Sequence, residues 1–294
     1  MHNDTQDQRA PTRPRRRWLR AFFLALVAVG IAGFAAFELA QVWMPRVFGD
    51  DGLIRYERAQ RRLRADFGLP MPGQPNLARL FERLAESGLK QGAPILVRIF
   101  KREFELELWM QRDGKFHRFA TYPICRWSGW LGPKLTEGDR QAPEGFYTVD
   151  ASALNPNSRW FRSFNLGYPN AFDRSQGRTG SLIMVHGGCG SIGCFAMTNG
   201  QMAEIWQLVT AALENGQKRF QVQVYPFRMS DAAMAEHAQD PDAAFWRNLK
   251  AGNDLFEGTS VPPKASVCNG RYRFEAGATG IADSDPVDVR CTNN

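Results

Sequence analysis

The chain has 294 residues, 44% of them apolar, with 21 Phe and 8 Trp. That is enough for one substantial packed domain with an extension, or for two small ones. The net charge of +7 is uneven: six arginines against three acids give the first 45 residues +3 and leave the remainder at +4, with no basic run interleaved with aromatics. Nucleic acid is therefore excluded as the expected partner.

The N-terminus reads as an export element. Arg9, Arg13, Arg15, Arg16, Arg17 and Arg20 precede Ala21–Phe37, 17 residues without a charge. This length is near the lower limit for crossing a bilayer, and the flanking arginines place the N-terminus in the cytoplasm and the body outside. We expect an uncleaved membrane anchor through residues 18–40; the alternative is a signal cleaved near Gly33-Phe34-Ala35. The five cysteines, Cys125, Cys189, Cys194, Cys268 and Cys291, then lie in an oxidising compartment, where an odd count leaves at least one thiol free. Cys268 and Cys291 bracket the C-terminal segment and are candidates for a staple.

Residues 46–92 read as a helical stalk without candidate chemistry. Ile54, Tyr56, Leu63 and Phe67 lie on a mostly basic helix, and Leu77, Leu80, Phe81 and Leu84 form an apolar face behind an Asn76 N-cap. From Ala93 the period changes to two. "PILVRIF" and "EFELELWM" are strand-like, and "RDG" turns the second into "FHRFATY" as a hairpin. "GFYTV", "SLIMVH" and "RFQVQVY" are further strands, with a helix over "NGQMAEIWQLVTAALENG" between the last two. The long Gly/Pro-rich connections 128–145 and 155–180 are expected to cover a site. From residue 229 to the end we expect an extension packed on the 93–228 core, with one helix capped by Asp240. The fold class is α+β and β-rich.

The chemistry concentrates in "HGGCGSIGC", His186 to Cys194. His186 ends a strand, Gly187 and Gly188 let the chain turn, and Gly190 and Gly193 make a second turn before Cys194. Three readings compete with a plain glycine turn. A zinc site would use His186, Cys189 and Cys194, but lacks a fourth ligand and any CxxC pair. A Cys189–Cys194 disulfide would close a very small loop. A Cys/His pair supplies a soft nucleophile, a base, and peptide N–H groups of Gly193 and Cys194 for an oxyanion.

"HGGCGSIGCFAM" resembles the signature of the L,D-transpeptidase catalytic domain (YkuD-type), with His186-Gly187 and Ser191-Ile192-Gly193-Cys194 matching its two parts. The chain departs from the main family in its shorter His-to-Cys loop and in Ala196, where that family has a basic residue. These departures, with "YPICRWSGWLGPKLTEGDRQAPEGFY" and "SFNLGYPNAFDRSQGRTG", resemble the YafK-like branch. The resemblance implies a β-sandwich-like core in the periplasm acting on peptidoglycan stem peptides. Cys194 is then the nucleophile and His186 the base, Gly187 holds the base through its backbone, and Ser191 and Gly193 shape the turn and oxyanion hole. Cys189 has no assigned role, and its proximity to Cys194 suggests an oxidative off switch. Arg140 and Arg178 are candidates to bind a stem-peptide carboxylate. Tyr168 and Phe172 are divided between groove and core, and His117 and His237 are expected at the surface. No metal or organic cofactor is implied. The same branch leaves open a cross-linking transpeptidase and an amidase that releases a peptidoglycan-linked outer-membrane lipoprotein. A peptidoglycan-binding protein without turnover is the third reading.

Overall fold

The computed structural model describes residues 15–280 and 283–291. Arg9 and Arg13 of the basic segment lie outside them. The chain divides into two compact units, Met1–Leu53 and Ile54–Asn294. Helix α1 (Arg15–Glu38) contains the stretch Trp18–Ala36, which is long and apolar enough to cross a membrane and carries its apolar side chains exposed. Helix α2 (Ala40–Asp66) is broken at Gly49, whose φ of 64° is non-helical.

The second unit is α+β and β-rich, built on two five-stranded sheets. The first sheet has the order β3 (Lys115–Pro123), β2 (Glu105–Arg112), β1 (Ile95–Phe100), β10 (Arg219–Tyr225), β5 (Gly145–Asp150). Only β1 and β10 run parallel. The expected hairpin joins β2 to β3 through Asp113 and Gly114, both at positive φ, the conformation an Asp-Gly turn supplies. The second sheet has the order β4 (Arg126–Trp127), β9 (Phe195–Ala196), β8 (Met184–His186), β7 (Ser163–Asn165), β6 (Leu154–Asn155).

Alternation along the strands of the first sheet sorts its two faces. Val97, Ile99, Phe220, Val222 and Val224 share a core with Trp127, Phe164, Val185 and Phe195 of the second sheet. Met202, Ile205 and Val209 of helix α5 (Asn199–Glu214) complete that core. A Thr198–Gln201 capping box starts this helix. The opposite face carries Phe100, Phe146 and Tyr225. It is covered by helix α7 (Ala243–Thr259), through Trp246 and Leu249, and by a small third sheet of β11 (Lys264–Cys268), β12 (Arg271–Glu275) and β13 (Asp288–Val289). Short helices α3 (Leu80–Glu86), α4 (Ala171–Ser175) and α6 (Asp231–Glu236), with 3-10 turns at Leu77–Arg79 and Ala151–Ala153, complete the secondary structure of the described residues.

Several expectations need correction. Helix α7 starts at Ala243 with Asp242 as its N-cap residue, while Asp240 Oδ1 accepts the Asp242 N–H in the turn before it. On α3, Leu80 and Leu84 are buried but Phe81 is exposed. Leu63 on α2 and Phe67 just beyond it are exposed, and the helix packs through Ile54, which is buried in the main core, and through its arginines. Arg58 lies 4.6 Å from the Trp127 ring centroid, while Arg61 lies 4.9 Å from that of Phe104 and donates to Ile124 O at 3.0 Å. His237 is half-buried, stacked 4.3 Å from the Phe227 ring. Tyr168 and Phe172 are buried, Phe172 stacking on Tyr272 at 4.1 Å.

Candidate active site

The site forms where β8 and β9 run side by side. Parallel strands ordinarily need a long crossover, yet only residues 187–194 join these two. So short a return requires backbone that doubles back, supplied by Gly188 (φ 95°), Cys189 (φ 51°) and Gly193 (φ 105°). At Gly187 the reason for glycine is room. A Cβ there would meet Asn199 Oδ1 at 2.7 Å and Phe161 O at 3.1 Å.

The register sets His186 beside Ala196 and Val185 beside Phe195. Continued back one residue, it puts Cys194 next to Met184, on the same face as His186 and two residues along, with Cα atoms about 8 Å apart. His186 is buried and Cys194 half-buried, and both line one cleft of about 590 Å³ with Trp160, Arg126, Ser191 and Ile192. Helix α2 closes part of that cleft with Arg62, Ala65 and Asp66. The segment expected to be a lead-in without chemistry thus contributes a wall.

His186 Nδ1 lies 2.6 Å from Gly187 O. A carbonyl can only accept, so Nδ1 carries the proton and Nε2 the lone pair. The Trp160 ring lies 6.1 Å from the imidazole. The turn before Cys194 is stitched by two hydroxyls. Ser191 Oγ donates to Cys194 O at 2.6 Å, which leaves Ser128 to donate to Ser191 Oγ at 3.2 Å and to accept from Gly193 N–H. The Gly193 N–H, expected at an oxyanion, is therefore engaged in holding the turn. Ser128 was not singled out from the sequence. It lies 66 residues before Cys194, just after β4, and the antiparallel β4–β9 pairing brings the two together.

Residues 97–261 match the pattern of the YkuD family, the L,D-transpeptidase catalytic domain. The chain belongs to the L,D-transpeptidase catalytic-domain family. It is 48% identical over 181 residues to the Escherichia coli K12 protein named "Putative L,D-transpeptidase YafK", covering 62% of this chain and 74% of that one, and equally to the protein of that name in Escherichia coli O157:H7. Among solved structures it is similar to the helical cell shape determining protein Pgp2 of Campylobacter jejuni, with TM-score 0.38 and 23% identity over 62% of this chain and 65% of that one. It is also similar to Bdellovibrio bacteriovorus Bd1075, with TM-score 0.33 and 19% identity over 55% of this chain and 60% of that one. The chain thus spans under two thirds of the length of either solved structure.

Within this L,D-transpeptidase domain, burial governs the protonation of the pair. Desolvation pushes the His186 pKa below its ordinary value, partly offset by the Gly187 carbonyl. Desolvation also pushes the Cys194 thiol up, against smaller opposing effects from the Met184 backbone and the Lys134 charge. Both shifts favour a neutral thiol beside a neutral imidazole.

The cysteines resolve the competing readings of the motif. Cys189 is bonded to Cys125 and Cys268 to Cys291, which leaves Cys194 as the free thiol. A Cys189–Cys194 disulfide and an oxidative switch between these two are therefore excluded in this pairing. Among the described residues no cluster of three metal-ligating side chains occurs. Arg178 is buried against Asp173 at 2.9 Å, and Arg140 is exposed on the 128–145 loop, outside the residues lining the cleft.

Proposed function

We propose that this protein is an exported cysteine acyltransferase acting on peptidoglycan stem peptides, with Cys194 as nucleophile and His186 as base. The observation that carries this reading is the one free thiol among five cysteines, two residues along the sheet face from a histidine whose tautomer leaves Nε2 unprotonated. His186 Nε2 takes the thiol proton as sulfur attacks the carbonyl at the L-centre of the diamino acid in a tetrapeptide stem. The Cys194 N–H receives the oxyanion, while Gly193, Ser191 and Ser128 keep the turn in shape. Collapse breaks the amide C–N bond, the departing nitrogen takes the proton from the imidazolium, and a thioester remains on Cys194. An amine then attacks the thioester to form a cross-link, returning a proton through His186 and restoring the thiol. Both disulfides fit an oxidising compartment, and the apolar α1 fits an anchor holding the body in the periplasm.

The test incubates full-length protein in detergent with sacculi bearing covalently attached lipoprotein, wild type against Cys194→Ala, and reads released muropeptides by mass spectrometry. Cross-links between diamino acids that require Cys194 are expected. Lipoprotein peptides released free of the stem, with tripeptide stems left on the sacculus, would instead make water the acceptor and the protein an amidase. Products identical in the two proteins would reject catalysis in favour of a binding role.

A further inference from the structure

The register of the second sheet aligns a third side chain with the pair. Arg126 on β4 is paired with Ala196 on β9, which is paired with His186 on β8. Directly paired residues share a face, so Arg126, Ala196 and His186 form one row across three strands, and Cys194 lies two residues along on the same face. Two strand spacings separate Arg126 from His186 by about 10 Å, with only the Ala196 methyl between them. Arg126, His186 and Cys194 all line the cleft.

What distinguishes Arg126 is that its charge is unanswered. Its Nε is buried without a hydrogen-bond partner, and the guanidinium forms no ion pair among the described residues. Arg126 is half-buried, whereas the buried arginines are committed: Arg178 to Asp173, Arg61 to Glu57, Arg98 to Asn253 and Glu257. The one carboxylate lining the cleft, Asp66, stands 3.6 Å from Arg62 in an exposed pair. A half-buried guanidinium without a counter-charge is open to a ligand, and a planar carboxylate satisfies it with two parallel hydrogen bonds.

We propose that Arg126 binds a free carboxylate of the stem peptide beside the carbonyl that Cys194 attacks, and so makes the enzyme selective for unamidated stems. This rests on the reading of the cleft as a stem-peptide site and takes over the part expected of Arg140 and Arg178. The carboxylate belongs to the terminal residue of the stem or to the side chain of the diamino acid, and both present the same chemistry to the guanidinium.

The test measures calorimetric binding on full-length Cys194→Ala protein in detergent, which needs no turnover. The probes are a synthetic tetrapeptide stem with both carboxylates free and two peptides amidated at one or the other. Arg126→Gln is expected to weaken binding of the free peptide about 10- to 100-fold, the size of a lost charged hydrogen bond. Arg126→Lys should recover part of it. One amidated peptide should bind equally well with and without the Arg126→Gln change, and that peptide identifies the carboxylate. Equal affinities for the free peptide with and without Arg126 would overturn the proposal. So would an equal loss for all three peptides, or no measurable binding of the free peptide. An Arg126-dependent affinity in a protein whose Cys194-intact form makes no product would refute the catalytic reading alone.

Discussion

In the proposed mechanism, the pairing of His186 with Cys194 depends on where the proton sits at rest. With Nδ1–H held by Gly187 O, the imidazole presents its basic nitrogen without needing a carboxylate to fix its tautomer. Burial moves the two pKa values apart, histidine downward and thiol upward. The neutral pair therefore persists across a wide pH range, and the base must take the thiol proton during attack. kcat/KM is expected to follow a broad bell, with its acid limb below about pH 6.5 and its alkaline limb above about pH 8.5, the ordinary values of the two groups. Thiolate ultraviolet absorbance should rise only on the alkaline side. A thiolate signal at neutral pH that disappears in His186→Ala would show an ion pair at rest and contradict this account. The same histidine shift acts on stability. Below about pH 6.5 the unfolded chain binds a proton that the buried imidazole refuses, so stability falls as pH falls through that value.

At the scale of elements, the site depends on β4, a two-residue strand that carries Arg126, leads directly into Ser128 and follows directly on Cys125. The Cys125–Cys189 disulfide spans 64 residues and ties this strand to the loop between β8 and β9. In the chain-entropy view, a loop of that length stabilises the fold by about 4 kcal/mol. Replacing both Cys125 and Cys189 by Ala is expected to cost about that much in denaturant unfolding and to lower kcat/KM while Cys194 still reacts with a thiol reagent. Reductant would then impair a thiol enzyme that ordinarily benefits from it, and an unchanged kcat/KM would show that the glycine loop holds its shape unaided. This contribution was not legible in the sequence. His186, Cys194 and the glycines between them stand together in nine residues, and the need for a tight return explains their composition. Arg126, Ser128 and the partner of Cys189 lie about sixty residues away, and nothing in their own neighbourhoods signals the pairing. The polar side of "RFQVQVY" hides a similar long-range relation. Its alternation reads as a half-exposed strand, yet Gln221 and Gln223 are buried, with Gln223 accepting from Arg98 at 3.1 Å.

Across the globular unit, the C-terminal segment and the loop behind the candidate cleft meet on one buried charge pair. Lys101, at the end of β1, is fully buried and donates to Glu144 at 2.9 Å and to Gly132 O and Ala142 O in the 128–145 loop. Glu144 in turn accepts from the Trp246 indole of α7 at 2.8 Å and from Gly132 N–H. Burial pulls the Lys101 pKa down and Glu144 pulls it back, so the ammonium depends on its partner. The long loop that carries Ser128 is thereby fixed to both the central sheet and α7, which is why it can serve the site despite its length. Lys101→Met leaves a buried carboxylate without its counter-charge and is expected to cost about 3–5 kcal/mol in chemical unfolding. Adding Glu144→Leu should recover part of that loss, because the remaining cost falls to the unmet indole and Gly132 N–H rather than to an isolated charge. A single variant as stable as wild type would show that water reaches the pair, and a double variant no better than the single would show that the loop is held by packing alone.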